Sequence, residues 1–281
     1  IRAAAKNYEH VITITDPEDY EYIMEHEINL NTKKIFASKA FNHISSYDTS
    51  ISDYFNEISE TNNQINRSYN ISTSLKYGCN PHQTFGGVFT INNKNPFSVI
   101  NGSCGYINMM DAIHSWQLVK ELSSCLNLPS AASFKHTSPA GVGTSRPLTD
   151  ILKKIYDVEN DELTPLATAF IRARNSDPMS SFGDFIALSE TVDACTAKLI
   201  KRFISDGVVA PDYSEEALEI LKQKRGGKYL ILKVDKNYEN IEKLENKELY
   251  GINLVQSVNN YKINKEDIGE IVTENKELSA D

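Results

Sequence analysis

Three short apolar runs separated by two helical patterns constrain this chain most. Residues 184–188, 207–211 and 229–234 read as strands, and residues 192–203 and 215–224 between them have helical spacing. Strands that are apolar on both faces and alternate with helices require a sheet covered on both sides. The predicted fold class is therefore α/β, with a three-layer architecture.

Upstream, residues 71–77, 87–91 and 97–100 read as short strands, and Asn101-Gly102 as a turn. Residues 106–126 read as one long helix whose apolar face carries Ile107, Met110, Ile113, Leu118, Leu122 and Leu126, with Trp116 in the core. Residues 129–134 read as a buried strand running into a turn, and residues 148–158 as a helix. Beyond Asp235 the chain is rich in Asn, Lys and Glu, and strand signals are weak.

The first 60 residues follow another pattern. A helix ends near Asn7, residues 10–15 form a β-branched strand candidate, and Asp16-Pro17 opens a helix to about residue 27 as N-cap and first helical position. A longer helix follows to about residue 58. This order suits the closing part of an α/β domain. The polar, aperiodic stretch 61–65 is the predicted linker, dividing 1–60 from 66–281. Both ends of the sequence are abrupt, so it reads as part of something longer.

Composition excludes several classes. A net charge of −9 argues against a general nucleic-acid or anionic-membrane surface, while leaving room for a local basic pocket that takes a phosphorylated ligand. Every apolar run falls short of the roughly 18 residues a membrane helix needs. Cys79, Cys104, Cys125 and Cys195 form neither a C-x-x-C pair nor a disulfide framework. Reduced thiols in a cytosol-like compartment are the simplest reading. H-E-x-x-H, G-x-S-x-G, P-loop and G-x-G-x-x-G motifs do not occur.

The chemistry concentrates in four segments. Residues 129–134 deliver Lys135 and His136 side by side into a turn rich in Ser, Pro and Gly. An imidazole that titrates near neutrality, next to an ammonium, can accept a proton during a reaction. Taken alone, the pair is better read as a chance pair on a solvated loop. Residues 76–83 pack Lys76, Tyr77 and His82 together, as suits either a site or a surface turn. Residues 172–184 hold Arg172, Arg174 and a Ser-Gly turn whose backbone N–H groups suit anions and amides, although turn-making explains them equally. Ser205-Asp206-Gly207 opens a strand. These polar segments are expected in turns after strands. His10, His26, His43 and His114 read as structural or solvated.

Together, Tyr77-Gly-Cys-Asn-Pro-His-Gln83, Asn101-Gly-Ser-Cys-Gly-Tyr-Ile-Asn108, Ser133-Phe-Lys-His-Thr-Ser-Pro-Ala-Gly141, Ser180-Ser-Phe-Gly-Asp-Phe185 and Ser205-Asp-Gly207 resemble the AICAR transformylase / IMP cyclohydrolase family, in its order and at its spacing. The resemblance overturns the bland reading of Lys135-His136. It implies that residues 1–60 end a methylglyoxal-synthase-like cyclohydrolase domain. Residues 66–281 would be the first half of a transformylase domain, similar to cytidine deaminases but without zinc.

The family's roles carry over residue by residue. His136 would be general base and Lys135 the oxyanion stabiliser in formyl transfer from 10-formyltetrahydrofolate to AICAR. Lys76, Tyr77, His82, Asn108, Gly183 and Asp206 would bind the nucleotide, and Lys6 would assist ring closure of FAICAR to IMP. Lys76 stands where the family usually has Arg, which keeps the charge but loses the bidentate fork for phosphate. The resemblance further implies a cytosolic homodimer with shared sites, and that parts of both active sites lie outside this sequence. The alternative is a catalytically incomplete piece that only binds ribonucleotide or dimerises.

Overall fold

Alternation along the central strands decides the architecture. Ala131, Ile186, Leu188, Val208, Ala210 and Ile231 point into one apolar cluster, and Ala132, Phe134, Phe185, Ala187, Val209 and Leu232 into another. Successive side chains of a strand face opposite sides, so both faces of one sheet are buried. The computed structural model describes residues 1–60, 64–240, 242–261, 263, 267, 269 and 272–277. The predicted linker lies partly outside them, at residues 61–63.

The chain divides into two compact units, Ile1–Lys236 and Asn237–Asp281. The first opens with helices α1 (Arg2–Lys6), α2 (Asp19–Glu25) and α3 (Leu30–Ile58). Ala5, Ala37 and Ala40 form a small cluster of their own there, packed by Tyr8 and Phe41. A two-stranded ribbon follows, β1 (Asn70–Ser74) with β2 (Gly87–Thr90), antiparallel.

Then come β3 (Phe97–Asn101), α4 (Tyr106–Leu126), β4 (Ser130–Lys135), β5 (Ser138–Thr144), α5 (Asp150–Ile155), α6 (Pro165–Ser176), β6 (Asp184–Leu188), α7 (Ala194–Arg202), β7 (Ser205–Ala210), α8 (Glu215–Lys222) and β8 (Leu230–Val234). The six strands order as β3-β8-β7-β6-β4-β5. β6, β7 and β8 run parallel, and the other pairings are antiparallel. Helix α4 buries Met109, Ala112, Trp116 and Val119 on one face of the sheet, and α6, α7 and α8 cover the other. Helix starts follow capping chemistry: Thr149, Thr164, Asp193 and Ser214 each accept a hydrogen bond from the backbone N–H three residues on. The second unit is an antiparallel hairpin, β9 (Leu244–Leu249) and β10 (Ile252–Ser257).

Several expectations need correction. Residues 10–15, read as a strand, form none: His10 closes a turn and the rest pair with no strand among the described residues. Asp16 caps a turn through the Glu18 N–H, and α2 begins only at Asp19. Residues 138–144, read as loop, are strand β5. Their glycines are there because α6 packs onto them: a Cβ at Gly141 would stand 2.1 Å from the Ala173 carbonyl oxygen, and one at Gly143 2.6 Å from that of Ala169. Residues 165–176 are α6, with Thr164 as N-cap and Pro165 at its first position, so the first part of the polar segment 172–184 is helical and not turn. Helix α4 has the expected bounds but a rotated face. Met109, Asp111, Ala112, Ser115, Trp116 and Val119 are buried, whereas Leu126 is exposed.

Candidate active site

The register of β4 sets the site. β4 runs antiparallel to β6, with Phe134 opposite Phe185, and β6 runs parallel to β7, with Asp184 opposite Ser205. The end of β4 therefore meets the beginnings of β6 and β7. Lys135, Gly183 and Asp206 share one edge of the sheet for this reason. Gly183 and Asp206 lie where strands begin, as the readings of 184–188 as a strand and of Ser205-Asp206-Gly207 as a strand opening had it; only the broader expectation of turns after strands does not hold for them.

Lys135 pairs with Ser138 across the β4–β5 hairpin, so His136 and Thr137 are its two loop residues. Both have positive φ, 53° and 64°. A two-residue hairpin loop of this hand favours Asn-Gly. Non-glycine residues held there cost on the order of 1–3 kcal/mol each, and a β-branched threonine is an outlier. The Thr137 N–H donates to Asp111 Oδ1 at 2.7 Å. His136 is exposed at the tip. Lys135 is half-buried, and its Nζ donates to the Phe182 carbonyl at 2.5 Å. An ammonium has three donors, so this contact holds it while leaving N–H groups for a ligand oxygen.

The turn that presents Phe182 and Gly183 rests on a buried polar group. Ser133 Oγ donates to Asp184 Oδ2 at 2.5 Å and contacts Ser181 Oγ at 2.8 Å. Arg174 Nε lies 3.5 Å from the same carboxylate, and both side chains are almost fully buried. Burial pushes the Asp184 carboxyl up to about 6, against the Ser133 hydrogen bond and the Arg174 charge. Gly183 sits at φ 72° with nothing within 4 Å of where a Cβ would stand, so space is open above it. Asp206 is half-buried and pairs with Arg225 Nη1 at 3.1 Å. Its charge also pushes the Asp111 and Asp184 carboxyls up.

Of the other predicted residues, Lys76 and Asn108 lie at the start of α4. The Lys76 N–H donates to the Cys104 carbonyl at 3.3 Å. Burial pushes the Cys104 thiol up to about 11, opposed by the Lys76 charge, so this thiol is inert at neutral pH. Asn108 Oδ1 accepts from the Gly105 N–H at 3.3 Å. His82 rides on an exposed loop closed by the Gly78 N–H on the Gln83 carbonyl at 2.8 Å. Asp111 stands one turn beyond Asn108 on the same helix and joins this group to the His136 turn. Lys6 is not brought to this edge: it is exposed at the end of α1.

Arg172 and Arg174, which share the segment whose turn was read as suited to anions, are used internally. Arg172 donates to the carbonyls of Arg146 and Pro147, and Arg174 faces Asp184. Asp111 and Arg225 were missed. A carboxylate one turn after Asn108, amid the small apolar residues of α4, was the available signal for Asp111. Among the described residues, no three His, Cys, Asp or Glu side chains gather as metal ligands, and no helix is long and apolar enough to cross a membrane.

Comparison with known proteins places the chain. A family model described as AICARFT/IMPCHase bienzyme matches residues 4–281. "Bifunctional purine biosynthesis protein PurH" of Halalkalibacterium halodurans is 31% identical over 282 residues, which cover 95% of this chain and 50% of that protein. The protein of the same name from Clostridium botulinum (strain 657 / Type Ba4) is 34% identical over 237 residues, 80% of this chain and 42% of its own length. The chain thus spans about half the length of the curated relatives it matches. On this match and this arrangement of residues, the chain belongs to the AICARFT/IMPCHase bienzyme family.

Proposed function

We propose that the full-length protein transfers a formyl group from 10-formyltetrahydrofolate to AICAR and then closes the product, FAICAR, to IMP in purine biosynthesis. The observation that carries this reading is the shared sheet edge: Lys135 and His136 at the end of β4, with Gly183 and Asp206 beside them. His136 takes the proton from the 5-amino nitrogen as it bonds to the formyl carbon. That amine is a weak nucleophile, and proton removal by a positioned base contributes about 10²–10⁴-fold. Lys135 stabilises the oxyanion that forms on the formyl oxygen. Collapse of the intermediate breaks the bond to the folate nitrogen, which leaves with a proton as tetrahydrofolate.

Tyr77, His82 and Asn108 bind the nucleotide, with Lys76 toward the phosphate. Gly183 and Asp206 receive the base and carboxamide, a role supported by the open space above Gly183. In the second step Lys6 polarises the formyl oxygen while the carboxamide nitrogen closes the ring and water leaves. Residues 1–60 then belong to a methylglyoxal-synthase-like domain, supported by the separate cluster of Ala5, Ala37 and Ala40. Residues 61–65 are the linker. Residues 66–281 belong to a cytidine-deaminase-like domain that works without zinc. The protein acts in the cytosol, a reading supported by its four free thiols among the described residues, and as a homodimer.

In the full-length enzyme, His136→Ala is expected to lower the kcat of formyl transfer on the order of 10²-fold or more while AICAR binding changes little. A kcat within a few-fold of the parent removes His136 as the base.

A further inference from the structure

We infer that Asp111 is a positioning residue for formyl transfer, its carboxylate holding the His136–Thr137 turn so that the imidazole stays aimed at the reacting amine. The inference rests on the reading of His136 as the base. It starts from a conflict in the backbone. Two non-glycine residues occupy the loop of a two-residue hairpin at φ 53° and 64°, where β-branched Thr137 has little steric freedom. An imidazole at the first position forbids glycine there, so something outside the turn must hold it.

Asp111 is the contact that does so. It lies 26 residues back along the chain, on a helix packed against the sheet, and is 4% exposed. Its Oδ1 accepts the Thr137 N–H at 2.7 Å, the donor between the two strained residues. A carboxylate on the buried face of α4, beside Met109, Ala112 and Trp116, is unfavourable unless it is hydrogen-bonded. Burial pushes it up, while the Thr137 N–H and the charges of His136 and His114 hold it down and Asp206 opposes them. Asp111 therefore meets the turn that carries the proposed base from one rigid element. Its reach to the reaction runs through the turn. The turn needs an acceptor at this point and no net charge, so asparagine can substitute where alanine cannot.

The test is steady-state formyl transfer by the full-length enzyme, with AICAR affinity measured separately. Asp111→Ala is expected to lower kcat about 10-fold or more and to change AICAR affinity less than about 3-fold. Asp111→Asn is expected to stay within about 3-fold of the parent in both. In a His136→Ala background, Asp111→Ala is expected to cost less than about 2-fold more, because a residue acting through His136 has nothing left to position. Where Asp111→Ala does not fold, Asp111→Ser, too short to reach the Thr137 N–H, takes its place. The inference is overturned by a parent-like kcat without the carboxylate, by an equal loss in Asp111→Asn, or by full additivity with His136→Ala. A parent-like rate in His136→Ala itself overturns the assignment of the base and this inference with it. A parent-like Asp111→Ala beside an impaired His136→Ala overturns this inference alone.

Discussion

Asp184 Oδ1 and Arg174 Nε are buried without a hydrogen-bond partner among the described residues, although the two side chains face each other at 3.5 Å. Desolvation therefore outweighs attraction at this carboxylate, and its folded-state pKa rises to about 6. The folded state binds this proton more tightly than the unfolded chain, which releases it near the ordinary carboxylate value. Stability from this group is therefore present at low pH, falls as pH rises from about 4 to about 6, and is constant above that. Asp184→Asn removes the dependence. The unfolding free energy of the variant relative to wild type is expected to rise on the order of 3 kcal/mol between pH 4 and pH 7. A difference independent of pH would show that Asp184 is ionised without penalty. At this scale Lys135, His136, Gly183 and Asp206 stand out as polar or small residues beside apolar runs, but the roles proposed for them come from the family resemblance and not from that pattern. Asp111 and the Ser133–Asp184–Arg174 group were not legible, because a buried polar residue leaves no local pattern when its partner lies on another element.

Elements were legible where period and capping agreed. The bounds of α4 follow from its composition, but its buried face does not. The helix carries two apolar stripes, and small Ala112 and Ser115 let it approach the sheet along the less obvious one. β5 was hidden by its glycines, which look like a loop until α6 is seen lying on them. Thr164-Pro165 marks the start of α6 by capping chemistry, while the polar residues from Arg172 on give its end the composition of a turn. The close approach is testable. Gly141→Ala places a Cβ against backbone that cannot yield cheaply, so a loss of about 1–3 kcal/mol of stability is expected. Formyl transfer should fall with it, because β5 is half of the hairpin that holds His136. An unchanged melting temperature would show that α6 and β5 are less tightly apposed.

For the whole molecule, the three-layer sheet was legible from alternating strands and helices, because a sheet covered on both sides leaves long apolar runs. The β9–β10 hairpin was not, since nearly all its residues are exposed and only weak strand signals mark it. The homodimer proposal has a physical consequence: a shared site implies an interface of roughly 2,000 Å² or more. Sedimentation over a wide dilution range is expected to show a persistent dimer of the full-length enzyme, and a fully active monomer at micromolar concentration would exclude shared sites. On the proposed function, formyl transfer belongs to the sheet edge around Lys135 and His136, and ring closure to the separate region that carries Lys6. The most direct test supplies AICAR and 10-formyltetrahydrofolate to the full-length Lys6→Ala enzyme and follows tetrahydrofolate and IMP together. Tetrahydrofolate release at a near-parent rate with FAICAR accumulating in place of IMP is the expected result, and equal loss of both products would contradict it.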